Sequence, residues 1–244
     1  MIKYQKEFAI HSYETNRYGN ASLSSIFNFL IEIAWEHAQV LDWGFDALKR
    51  NNYFWVLSRM YIKIEKYPGW QDKVTVKTWP TGTESIYAFR EYEVTNSESE
   101  VIIRASSAWL ILDLDTKRII RPDSLSDSFQ KFAQHKICRY PDRFKANGKA
   151  GNLQFSPVLF TDLDINQHFN SVKFVERALN FYGIEFLNEN IVSEIEVNYL
   201  KEGMPEDSIA VSLIQMSENE DMVSLVRESD QIDLCIMKIT WKRK

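Results

Sequence analysis

The chain has 244 residues, 45% of them hydrophobic and 26% charged, and a net charge of -5, which is a globular composition with room for one large domain or two ordinary ones. No run approaches the roughly 18–20 apolar residues of a membrane helix, and the acidic balance excludes the basic footprint of a nucleic-acid-binding domain. The charged start MIKYQKEFAI lacks the apolar core of a secretory signal, so a cytoplasmic protein without membrane insertion is expected.

In chain order, Tyr4 to Ser12 reads as a leading strand. Ile26, Leu30, Ile33, Ala34, Ala38 and Leu41 then recur at three- and four-residue steps, which predicts a helix of about five turns stopped at Gly44. Ser58 to Val76 reads as strand, tight turn, strand, with Pro68-Gly69 and Asp72 marking the turn, and Ile86–Thr95 and Val101–Asp113 read as two more strands. The stretch from Ser126 to Gly151 reads as a linker. From Lys131 to Ala150, six Lys or Arg face only Asp142, so this stretch is either a solvated connection or a docking surface for an acidic partner.

The pattern then returns. Gln154–Thr161 reads as a leading strand, and Val172, Val175, Ala178, Leu179 and Tyr182 repeat the helical spacing, with Asn170 or Ser171 as N-cap and Gly183 as stop. Ser193 to Val211 lies over Ser58 to Val76 without a gap, and Met222–Glu228 and Ile232–Trp241 complete a second set of strands. A sheet with one apolar face needs a cover, and in each half the helix is the available one. The expected fold is therefore α+β: two tandem hot-dog domains, each a curved antiparallel sheet wrapped around a long helix, their sheets paired as a pseudo-dimer. The expected boundaries are 1–125 for the first domain, 126–151 for the linker and 152–244 for the second domain. Whether the chain pairs further into a homodimer is not legible.

Between the second leading strand and its helix stands Asp164-Ile-Asn166-Gln-His168-Phe-Asn170. On an extended segment Asp164, Asn166 and His168 would face one side. A carboxylate, an amide and an imidazole would then converge beside a helix N-terminus, where backbone N–H groups near Asn170 favour a developing anion. Thioester hydrolysis needs such a set: a group to attack or to activate water, and a donor for the oxyanion. Cys138 and Cys235 lie far apart without CxxC spacing and read as reduced structural thiols, and the histidines form no metal set. No cofactor is expected.

With Phe169, Asn170, Ser171, Lys173, Phe174 and the later run Tyr199-Leu-Lys201-Glu202-Gly203, the segment resembles the acyl-acyl carrier protein thioesterases of plants and bacteria. Their motif is Asp-x-Asn-x-His-Val-Asn-Asn, then Lys-Tyr, then Arg-Glu-Cys. The resemblance implies the double hot-dog layout over nearly the whole chain and a catalytic group of Asp164, Asn166, His168 and Glu202. Two positions depart from the family: Gly203 stands where the family has Cys, so any nucleophile is oxygen, and Phe174 replaces Tyr, which suggests packing. The family's first half lines the acyl tunnel, so Ile33, Trp35 and Phe54 are candidate substrate-binding residues beside Asn170, although aromatic residues of this half are most simply core. By the same alignment the first half carries Asn16, Tyr18 and Asn20 opposite Asp164, Asn166 and His168, and Tyr67 opposite Glu202.

The expected activity is hydrolysis of fatty acyl-acyl carrier protein (acyl-ACP), releasing free fatty acid and ending elongation, with either Asp164 or Glu202 as nucleophile or base. Acyl-ACP is the expected partner. An acyl-coenzyme A hydrolase of the same fold and a non-catalytic acyl-binding protein are the alternatives.

Overall fold

The computed structural model describes residues 3–125, 136–146, 148 and 152–244. It divides into two compact units, Met1–Pro141 and Asp142–Lys244. Among the described residues no helix is long and apolar enough to cross a membrane. Most of the expected linker, including residues 131–135 of its basic stretch, lies outside the described residues.

The first unit contains β1 (Tyr4–Ala9), α1 (Leu23–Val40), α2 (Phe45–Arg50), β2 (Tyr53–Ile64), β3 (Lys73–Glu84), β4 (Tyr87–Thr95), β5 (Val101–Asp113) and the short β6 (Ile119–Ile120). Its antiparallel order is β1-β3-β4-β5-β2, with β6 on β5. Ser22 caps α1 by accepting from Ser25 N, and Ile26, Phe27, Leu30, Ile33 and Ala34 bury the helix face that packs on the sheet. The helix ends at Val40, and Gly44 opens α2 rather than stopping α1. The stretch between Gly44 and Ser58 therefore holds α2 and the start of β2.

The second unit contains β7 (Ser156–Pro157), α3 (Ser171–Leu179), α4 (Ile184–Glu189), β8 (Asn190–Tyr199), β9 (Ser208–Gln215), β10 (Glu220–Arg227) and β11 (Asp233–Arg243), in the order β7-β9-β10-β11-β8. Position for position this is the order of the first unit. Each unit is a hot-dog fold. Two elements of the second unit differ from expectation. The leading strand shrinks to two residues because Phe160–Asp162 turn into a 3-10 helix, and α3 stops at Leu179 because Asn180 caps it ahead of Gly183.

In neither unit do the two duplicated strands form a hairpin. β2 and β3 are separated in the order by β5 and β4, and β8 and β9 by β11 and β10. The connections between them are fastened instead to the loop before the helix. In the first unit Ala21 N donates to Pro68 O, and in the second Phe169 N donates to Gly203 O.

Candidate functional site

Asp164, Asn166 and His168 do not lie on an extended segment. Asp164 Oδ1 accepts from Asn166 N at 2.8 Å and from His168 N at 3.1 Å, and Asp164 N donates to His168 O at 2.9 Å. Gln167 takes the left-handed region at φ 62. The loop is thus an Asx turn, in which an acidic or amide side chain substitutes for backbone partners. The first unit builds the same loop: Asn16 Oδ1 accepts from Tyr18 N and Asn20 N, Asn16 N donates to Asn20 O, and Gly19 sits at φ 75. The hydrogen bonds that Asp164 makes are therefore those of the fold, shared by a copy that has an amide there.

The difference between the copies lies in what the loop carries. The bond from Phe169 N to Gly203 O, 2.8 Å, pins the β8–β9 connection against the loop, and Glu202 arrives with Oε1 3.6 Å from His168 Nδ1. That separation exceeds a hydrogen bond, but catalytic pairs often tighten only when substrate binds. The two side chains are 26% and 44% exposed, so both are open to water and to a substrate. Asn166 is exposed, and among the described residues its side-chain amide has no hydrogen-bond partner. In the first unit the aligned positions hold Asn20 and the phenol of Tyr67, which burial pushes above its ordinary range.

Asn170 is the cap of α3, its Oδ1 accepting from Val172 N at 2.8 Å. Most of the amides expected to receive an anion are engaged within the protein: Phe169 N by Gly203 O, Asn170 N by Asp162 O, and Lys173 N by Asn170 O, while Ser171 N meets no acceptor among the described residues. The Ser171 N–H and the Asn166 side-chain amide are thus the donors left open beside the loop. Beneath the loop, Phe174 packs edge-on against Phe169 (4.6 Å) and Tyr199 (6.0 Å), so at this position a ring supports the loop without a hydroxyl.

The cysteines lie elsewhere. Burial, then the nearby Glu91 carboxylate, pushes the Cys138 thiol up to about 11, and Cys235 is fully buried with its thiol held well above the ordinary range. Neither presents a thiolate near neutral pH. Among the described residues no three His, Cys, Asp or Glu side chains gather as a metal would require.

The first unit holds an apolar pocket of about 620 Å³, its open mouth included, walled by Ala34, Trp35 and Ala38 of α1 together with Trp43, Trp55 and Trp109. Of the three residues expected to meet an acyl chain, Trp35 lines it. Ile33 is fully buried in the core, and Phe54 is outside the lining, with Lys117 Nζ over its ring at 4.8 Å. In sequence Trp43 and Trp55 read most simply as core, with the acyl tunnel as the alternative, and Trp109 as a strand position, because an aromatic side chain looks the same in a core as in a pocket wall.

Two family descriptions match the chain: Acyl-ACP thioesterase N-terminal domain over residues 1–127 and Acyl-ACP thioesterase C-terminal domain over 145–243. The chain belongs to the acyl-ACP thioesterase family. It is 28% identical to a palmitoyl-acyl carrier protein thioesterase of Gossypium hirsutum, with 100% of this chain and 64% of the relative covered. It is also 28% identical to oleoyl-acyl carrier protein thioesterase 2 of Arabidopsis thaliana, with 91% and 65% covered. The chain thus spans a little under two thirds of these curated relatives. Among solved structures, an acyl-ACP thioesterase from Bacteroides thetaiotaomicron matches with a TM-score of 0.88 at 24% identity over 98% of both chains. A 12:0-ACP thioesterase from Umbellularia californica matches at 0.86 and 18%, covering 100% of this chain and 98% of the other.

Gly203 stands where the motif that the sequence resembles has Cys. A Cβ built there would stand 2.8 Å from Phe169 Cβ, closer than carbon atoms pack. Gly203→Cys, which introduces the Cys of that motif, is therefore expected to destabilise the fold by about 1–3 kcal/mol through overpacking and to push the loop away from Glu202. Thermal denaturation should show the loss of stability, and an unchanged melting temperature would mean the loop yields freely.

Proposed function

We propose that this chain hydrolyses fatty acyl-ACP thioesters to free fatty acid and carrier thiol, with the chemistry in the second unit and the acyl tail in the first unit's pocket. Family membership supports the reaction. The observation that carries the assignment of the site is the approach of Glu202, on the β8–β9 connection, to within 3.6 Å of His168, where the first unit has Tyr67 and Asn20 at the duplicate positions.

Glu202 faces Nδ1 of His168, which favours the tautomer with hydrogen on Nδ1 and leaves Nε2 as proton acceptor. His168 takes a proton from water through Nε2 as the water oxygen attacks the thioester carbonyl. The exposed Asn166 amide donates to the oxyanion. Collapse of the tetrahedral intermediate breaks the carbon–sulfur bond, and the imidazolium returns its proton to the departing thiolate. Asp164 holds the loop that presents both side chains.

Direct attack by the Asp164 carboxylate is the competing route, and Asp164→Asn separates the two. An amide keeps the acceptor oxygen that closes the turn, as Asn16 does in the first unit, but it cannot serve as nucleophile or base. The variant is expected to stay within about tenfold of wild-type kcat/KM while Asp164→Ala falls much further, since a lost catalytic carboxylate costs about a hundred- to ten-thousand-fold. Equal, deep losses in both would assign the chemistry to Asp164.

The pocket sets which chains are accepted. Filling it with Ala38→Phe removes room for two or more methylenes, each contributing about 0.8 kcal/mol. The selectivity for the longest accepted chain over shorter ones should then drop by roughly tenfold. Gas chromatography of fatty acids released from a mixed acyl-ACP pool reads this directly, and an unmoved profile would place the tail elsewhere.

A further inference from the structure

One side chain in the pocket wall does not suit a plain hydrocarbon. Arg90, on β4, lines the cavity and is 9% exposed. Its Nη1 donates to His37 Nδ1 at 2.9 Å and to Thr78 Oγ1 at 3.1 Å, both side chains being fully buried. The Thr78 hydroxyl passes its own hydrogen to Glu91 O. Both partners of Arg90 are neutral acceptors, and among the described residues no carboxylate pairs with it and no acceptor meets Nε or Nη2. Burial holds its guanidinium below the ordinary range. A buried cation without a counter-charge is costly unless its donors are used.

The second unit handles the duplicate position differently. On the paired strands Arg90 stands two residues beyond Ala88, the partner of Trp109, and Asp221 stands two residues beyond Asn219, whose carbonyl accepts from Trp241 N. Asp221 accepts from Tyr182 Oη and Trp241 Nε1, both at 2.8 Å, while Tyr182, Phe186 and Trp241 pack on one another at 4.8–5.2 Å. There the polar group is satisfied by the protein and rings fill the space. In the first unit the space is open and the donors remain.

We propose that the first unit's pocket takes an acyl chain bearing an acceptor oxygen, a hydroxyl or a carbonyl, on the part of the chain that reaches Arg90, and that Arg90 selects it. The proposal rests on the hydrolase reading for the identity of the occupant. The tryptophan walls bury the methylenes, and Nε and Nη2 of Arg90 donate to the oxygen. An unsubstituted tail offers the guanidinium nothing, whereas in a purely apolar pocket a hydroxyl would be the penalised group.

The test compares matched acyl-ACP pairs of equal length, terminally hydroxylated against unsubstituted, at several lengths with the full chain. The hydroxylated member should have a kcat/KM higher by on the order of tenfold, the effect of one charge-assisted hydrogen bond. Arg90→Gln and Arg90→Met should bring that ratio down, in the Met variant to below one. If the Met variant does not fold, the wild-type ratio and Arg90→Lys, which keeps the charge without the planar fork, carry the test.

Quenching of tryptophan fluorescence by the corresponding methyl esters reads the same preference without turnover. Preference in binding without hydrolysis of any pair would overturn the hydrolase reading and leave this one standing. Hydrolysis with the unsubstituted chain preferred, or with a ratio that a folded Arg90→Gln variant leaves unchanged, would overturn the role of Arg90.

Discussion

Glu202→Gln and His168→Ala are each expected to lower kcat/KM for acyl-ACP by about a hundred- to ten-thousand-fold, the range for loss of a working general base or of the group that orients it. Both side chains are partly exposed and 3.6 Å apart, and neither is buried in the core, so melting temperatures should hardly move. Because the two act on one proton, the double variant should be little worse than the more damaged single variant; groups that work as a unit are not additive. Asn20→Ala, at the position that duplicates His168, should stay within about threefold of wild type. A loss there as deep as at His168 would contradict the placement of the chemistry in the second copy alone.

The largest expected effect on stability is at Arg177. Its Nη2 lies 2.8 Å from Asp162 Oδ2, with side chains only 17% and 15% exposed. The guanidinium also donates to Ser156 O and Pro157 O and covers the Phe169 ring at 4.9 Å. It therefore staples β7, the 3-10 turn and α3 around the loop that carries Asp164, Asn166 and His168. Arg177→Ala leaves the Asp162 carboxylate in a largely dry site with only Leu159 N as donor among the described residues, and breaking a buried pair from one side costs about 3–5 kcal/mol. For a chain of this size that corresponds to a fall in melting temperature of roughly 6–20 °C. Asp162→Ala should cost a comparable amount by the same test. A shift of only a degree or two would mean that water already reaches the pair.

The repeat was the most legible feature of the sequence. The ungapped match of Ser58–Val76 with Ser193–Val211 corresponds to equivalent strands in two units of identical order, because alternating apolar positions survive divergence wherever one sheet face is covered. Turn chemistry was less legible. Asp164, Asn166 and His168 at every second position look like strand alternation, and the same spacing serves an Asx turn. The clue was Asn16-x-Tyr18-Gly19-Asn20, where a glycine sits at the position that Gln167 fills with positive φ. The α3 terminus is ambiguous in sequence, since Asn180 and Gly183 can each end a helix, and the structure uses Asn180. Arg90 and His37 were not legible as a pair at all: 53 residues separate them, and only the packing of α1 on the sheet brings them together.

The most direct test of the proposed function is a single assay of the full chain on acyl-ACP and acyl-coenzyme A across chain lengths, with His168→Ala and Glu202→Gln run in parallel and products followed as free thiol and free fatty acid. Wild-type protein should release both products in equal amounts from acyl-ACP, and the two variants should release them at least a hundredfold more slowly. Absence of turnover by wild-type protein on either carrier, or turnover that survives both substitutions, would contradict it.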